Sequence, residues 1–262
     1  MRLIAISVLL TCAAYAQTPA INAGGVLNTP GASSTQAIAP GALVSIFGSN
    51  LAGAMALSDS VPLSTKVGGV SVTIGGVAAP IQFVSPSQVN IQAPWGVPVS
   101  DSSGPAQVVV TNDGQGSATT TVTVVASAPS IYAIGGQGIV VNADGSLAAP
   151  ANSIPGITTR PAKIGDAAGL ILFATGMGAV DSSIQDGANS ADVTRNTLTQ
   201  PTVTVGGVAA QVTFSGLSPQ FVGVNQINIV LAPGTPTGNA VPVQIQVNGS
   251  TNSNLVTIAV SQ

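Results

Sequence analysis

The chain repeats itself, and that duplication constrains the fold more than any other feature. Thirteen residues from Ser71, Ser-Val-Thr-Ile-Gly-Gly-Val-Ala-Ala-Pro-Ile-Gln-Phe, return from Thr202 as Thr-Val-Thr-Val-Gly-Gly-Val-Ala-Ala-Gln-Val-Thr-Phe, with eight positions identical. Both copies go on to a Gln-apolar-Asn-Ile segment, Gln88-Val-Asn-Ile91 and Gln226-Ile-Asn-Ile229, and then to a proline, Pro94 and Pro233. The second copy carries about seven more residues before that segment, a difference of the kind surface loops absorb. Residues 40–51 have a looser counterpart in residues 164–177, and residues 107–125 correspond to residues 243–260.

Each copy reads as β structure. Val72 and Ile74, then Ile81 and Phe83, alternate with small or polar residues on either side of Gly75-Gly76, which predicts a hairpin with a tight turn. A second hairpin is predicted around Asn112-Asp113-Gly114, with its counterpart at Asn248-Gly249. Residues 167–180 come nearest to a helix, but Gly, β-branched and aromatic residues there favour a buried strand and a turn. The predicted fold class is all-β: two tandem Ig-like β-sandwich domains, at residues 36–129 and 163–262. Residues 130–162 are read as a hairpin and connector, and residues 17–35 as a polar leader.

Residues 1–16 have the pattern of a secretory signal peptide. Arg2 supplies the positive start, residues 3–10 are nearly all apolar, and Ala14-Tyr15-Ala16 offers a small-x-small cleavage site. The apolar run is too short to span a bilayer as a helix. Cys12 is the single cysteine, and Thr11 before it does not suit a lipoprotein signal. The expected location is secreted, periplasmic or on the cell surface, with no membrane span after cleavage and no disulfide.

Composition then removes most chemistry. Of 262 residues, 5 are Lys or Arg and 8 are acidic; all eight are Asp, and there is no His. His-based catalysis and His- or Cys-liganded zinc have no ligands to use. Four basic residues beyond Arg2, at Lys66, Arg160, Lys163 and Arg195, do not make a phosphate-backbone surface. No catalytic, cofactor or metal site is therefore expected, and no nucleic-acid partner.

Further residues carry a resemblance. Residues 38–51, Ile-Ala-Pro-Gly-Ala-Leu-Val-Ser-Ile-Phe-Gly-Ser-Asn-Leu, resemble the opening strand of IPT/TIG domains, which are Ig-like. From about Ile38 to the C-terminus the chain also resembles the Solibacter uncharacterised C-terminal domain family of secreted acidobacterial proteins. The matching elements are Gly68-Gly-Val-Ser-Val-Thr-Ile74, Val84-Ser-Pro-Ser-Gln-Val-Asn-Ile91, Ala93-Pro-Trp95, Asn142-Ala-Asp-Gly-Ser146, Ala174-Thr-Gly-Met-Gly178 and Phe221-Val-Gly-Val-Asn-Gln-Ile-Asn228. The chain departs from the pattern at Gly156-Ile-Thr-Thr-Arg160 and over residues 166–173. The resemblance implies tandem Ig-like domains and supplies no catalytic residues.

Candidate site residues are few. Trp95, the single tryptophan, is the candidate ligand-binding residue as a stacking platform for a sugar. Packing at a strand end or against the second domain outweighs that role, because large aromatic residues are usually well buried. Asp181, Asp186 and Asp192 share one loop that could offer oxygens to Ca²⁺, but their spacing fits no EF-hand and a solvated loop is favoured. Asn142-Ala-Asp144 has the same reading. Asn248-Gly-Ser250 matches a glycosylation sequon and reads better as a turn. The expected function is a secreted, non-enzymatic binding or adhesion module with an extracellular glycan or protein as partner. The alternative is a structural spacer or self-assembling cell-envelope subunit. An enzyme built on Asp pairs ranks last.

Overall fold

The computed structural model describes residues 17–29, 37–100, 104–249 and 251–262. The predicted signal peptide, residues 1–16, lies outside them. The described residues fold into sheets around two separate apolar cores. One core runs from Val26 to Val124 and the other from Ile131 to Val260. The all-β expectation holds.

In the first sandwich, one sheet runs in the order Ala20–Asn28, Leu43–Ser49, Gln88–Gln92, Ile81–Val84, Ala56–Leu57. Facing it are Ala37–Ile38, Thr120–Val124, Ala106–Asn112, Val70–Ile74 and Lys66–Val67. The second sandwich repeats the plan. Leu170–Thr175 and Asn225–Val230 pair antiparallel as Leu43–Ser49 and Gln88–Gln92 do, while Thr202–Val205 and Gly238–Val247 match Val70–Ile74 and Ala106–Asn112. Inward positions alternate as a half-buried strand requires: Val70, Val72 and Ile74 are buried, as are Val203 and Val205.

The turn predicted at Gly75-Gly76 forms, but its far arm is Val77–Ala78, and Ile81–Val84, expected there, pairs with Gln88–Gln92 in the facing sheet. Gly75-Gly76 and Gly206-Gly207 have positive φ at both positions, the geometry whose twist suits a two-residue hairpin. After them the copies diverge at one residue. In the second copy Val208–Leu217 is a single strand that passes from one sheet to the other, pairing first with Thr202–Val205 and then with Asn225–Val230. In the first copy the same stretch is split into Val77–Ala78 and Ile81–Val84. Pro80 sits at the break, where the second copy has Gln211 paired with Val230. Proline has no N–H to give a ladder, so the split follows from the substitution.

Two segments differ from expectation. The polar leader, residues 17–35, contains a long edge strand: Ala20–Asn28 pairs antiparallel with Leu43–Ser49, with Val26 in the core. Its alternation is masked because the register shifts between Ile21 and Val26, across Gly24-Gly25. The hairpin and connector, residues 130–162, also belongs to a sandwich. Val140–Asn142 pairs antiparallel with Leu170–Thr175, and Ile131, Val140, Ala148 and Ala162 enter the second core. Each sandwich therefore recruits the chain preceding its first long strand as an extra edge, which the internal repeat alone does not reveal.

Candidate functional site

The two sandwiches meet along a seam, and of the residues singled out in the sequence Trp95 and Asp186 are found there. Trp95 follows the Gln88–Gln92 strand, and its backbone N–H donates to the Asp186 carboxylate of the second sandwich at 2.8 Å. Its ring covers Gly41, where an added Cβ would come within 2.2 Å of the indole. The indole N–H is buried without a hydrogen bond. Trp95 is half-buried against its neighbours, and it also lines a recess of about 290 Å³ with residues 179–184.

The aspartate loop has no shared centre. Asp181 accepts from the Asn196 backbone N–H at 3.1 Å and from Asn196 Nδ2 at 2.8 Å, and these bonds lower its pKa. Asp186 is engaged by Trp95. Asp192 takes both Arg195 terminal nitrogens, at 2.6 and 3.0 Å, and these charge-assisted bonds lower its pKa to about 2. Asp144 likewise goes to Arg160 Nε at 2.6 Å and to Ser146, which hold its carboxyl well below the usual range. The carboxylates brace turns and pin one loop to the other sandwich.

That loop closes the seam through Gly187. Its N–H donates to the Gln92 side-chain oxygen at 2.6 Å, and its carbonyl accepts from the Leu63 N–H at 2.8 Å. Elsewhere Leu43 N–H donates to Thr175 Oγ1 at 2.9 Å, and that hydroxyl donates to the Gly223 carbonyl at 2.6 Å. Asn28 Nδ2 donates to the Ala128 carbonyl. Gln92 and Thr175 are almost fully buried, so each bond forms away from water and its loss leaves a desolvated group.

Beside these bonds lies an open apolar cleft of about 430 Å³. Leu43, Thr29 and Gln82 of the first sandwich form one wall, and Tyr132, Phe173 and Phe221 of the second form the other. Phe221 is 52% exposed and meets Phe173 edge-on, with ring centroids 6.4 Å apart and planes at 86°. The Tyr132 hydroxyl is buried in this wall and makes no hydrogen bond of ordinary geometry. Burial pushes its pKa well up, and the nearby Thr175 hydroxyl pulls it back only in part. Thr175 cannot give its proton to Tyr132, because that proton goes to Gly223.

Sequence reasoning missed this trio of aromatic residues. They lie far apart in the chain, and the seam that joins them is a tertiary fact. One signal was available: the second copy's extra residues, between Phe214 and Gln226, carry Phe221, which has no equivalent in the first.

No curated protein matches the chain in sequence. Among solved structures, it is distantly similar to a surface glycan-binding protein from Prevotella bryantii, at 13% identity and a TM-score of 0.28, covering 90% of this chain and 41% of that one. It is also similar to the gamma-CGTase of Alkalophilic bacillus clarkii, at 12% identity and a TM-score of 0.25, covering 85% of this chain and 24% of that one. A tandem from titin is similar at 11% identity and a TM-score of 0.22, covering 86% of this chain and 62% of that one. The chain thus spans less than two thirds of each of these three. Residues 30–125, which cover the first sandwich apart from its Ala20–Asn28 edge strand, match the IPT/TIG domain.

Proposed function

We propose that this chain is a secreted, non-enzymatic binding or adhesion module whose ligand enters the cleft between the two sandwiches. The observation that carries the reading is the cleft itself: an open apolar recess with a half-exposed Phe221 in its wall. A concave apolar site with a few polar groups is the usual form of a ligand pocket. The ligand would place an apolar group between Leu43, Phe173 and Phe221.

The non-enzymatic reading rests on composition. With no His and no Glu, the remaining acids are Asp, and Asp144, Asp181, Asp186 and Asp192 are engaged in the contacts described above. Secretion rests on the signal-like residues 1–16. No helix of the described residues is long and apolar enough to cross a membrane. The Solibacter family resemblance fits the same reading.

The test is a paired screen of the chain and its Phe221→Ser variant on arrays of glycans and extracellular proteins. At least one ligand should be captured by the parent chain and lost by the variant, with unfolding unchanged. Absence of any ligand for the parent would overturn the reading. One observation favours the alternative of an assembling subunit: Met55 and Leu57, on and beside the Ala56–Leu57 edge strand, are 73% and 70% exposed. Sedimentation that shifts with concentration would support that alternative.

A further inference from the structure

Four of the five phenylalanines occupy equivalent places in the two sandwiches. On the outward face of the first, Phe47 lies opposite Gln88 and Phe83 opposite Asn90 in adjacent strands. On the second, Phe173 lies opposite Gln226 and Phe214 opposite Asn228. Residues paired in this way share one face of an antiparallel sheet. All eight are half-buried, and the residues between them, Val89 and Ile227, point into the cores.

The details are duplicated as well. A register shift lies between Ile81 and Phe83, and its twin lies between Val212 and Phe214. A bulge of this kind re-aims the side chain that follows it, here a ring turned onto the outward face. In both copies the Gln amide donates to its Asn neighbour, Gln88 Nε2 to Asn90 Oδ1 at 2.8 Å and Gln226 Nε2 to Asn228 Oδ1 at 2.9 Å. That bond orients the pair. It leaves a Gln carbonyl oxygen and an Asn amino group with no protein partner among the described residues.

A chain with so few aromatic residues has placed most of its Phe at the edge of solvent, flanking fixed amides. In the second sandwich the set opens on a recess of about 260 Å³, in which Phe214, Gln226 and Asn228 face Ser190, Thr194 and Leu217. Its lining contains no charged residue, so its complement is neutral. Aromatic surface for C–H groups, with amides and hydroxyls for alternating donors and acceptors, is the chemistry that recognises a polyhydroxylated ring.

We infer that each sandwich bears on its outward sheet face a site for a neutral carbohydrate, formed by Phe47, Phe83, Gln88 and Asn90 in the first and by Phe173, Phe214, Gln226 and Asn228 in the second. Two like sites in one chain suit a repeating polymer, since engaging one raises the effective concentration at the other. The inference goes beyond the seam cleft, which Phe173 borders but Phe214, Gln226 and Asn228 do not.

The test is nuclear magnetic resonance of the chain from residue 17 onward, titrated with neutral glucan, xylan and galactan oligosaccharides. The side-chain amide signals of Gln88 and Gln226, the partners of Asn90 and Asn228, should shift saturably with at least one of them. Asn228→Ala should weaken binding at the second face about tenfold, the effect of one lost hydrogen bond of ordinary strength. Asn228→Asp, which keeps the volume and removes the amino donor, should do the same while the backbone spectrum stays that of a folded chain. Phe221→Ser should leave these shifts in place, which separates this site from the cleft. No saturable shift with any of the three oligosaccharides, or shifts that survive the Asn90→Ala/Asn228→Ala double substitution, would overturn the inference.

Discussion

The buried side chain of Gln92 accepts the backbone N–H of Gly187 at 2.6 Å, and with that bond the first sandwich holds a loop of the second. Gly187 has a φ of +80°, a conformation that costs a residue with a Cβ about 1–2 kcal/mol. A Cβ there would also lie 2.8 Å from the nitrogen and oxygen of Leu63. Gly187→Ala should therefore destabilise the chain by about 1–3 kcal/mol, read as a lower midpoint in denaturant. A midpoint equal to the parent's would show that the contact does not bear on stability.

Tyr132→Phe should act in the opposite direction. The hydroxyl is buried without an ordinary hydrogen bond, so removing it relieves a desolvated group and should stabilise by up to about 1 kcal/mol. Thermal unfolding measures this. In the parent chain, spectroscopic titration should find one phenol ionising well above the usual tyrosine range, with that late step missing from the variant.

The Asp192–Arg195 contact predicts a specific acid sensitivity. The folded pKa of Asp192 is lowered to about 2 from 3.8, so the contact is fully present above the unfolded value and is lost as pH falls through the folded one. The loop should stay in place at pH 4 and loosen toward pH 2, seen as increasing amide exchange near Ser190 and Arg195. Arg195→Ala should move the Asp192 titration up toward 3.8. An unchanged midpoint would remove the ion pair as the cause.

Much of the fold was legible because turn chemistry is local. Gly75-Gly76 and Gly206-Gly207 announce their hairpins, and Val72, Ile74, Val203 and Val205 show which face is buried. Residues 20–28 were not legible, since Gly24-Gly25 breaks the alternation and the pairing with Leu43–Ser49 is not written locally. Residues 130–162 were missed for a related reason: their strands are two or three residues long, too short to display a period. Trp95 drew notice through scarcity, yet it lies over Gly41 and outside the open cleft, which Leu43, Tyr132, Phe173 and Phe221 line.

A preformed cleft needs a fixed seam, and electron–electron distance spectroscopy can measure it without a ligand. Spin labels at Met55→Cys and Leu255→Cys, both exposed positions on different sandwiches, can be placed on the chain from residue 17 onward, which has no other cysteine. The account predicts one narrow distance distribution that broadens on Gly187→Ala. A broad distribution in the parent chain would mean that the sandwiches move independently, and the cleft between them would not be a site.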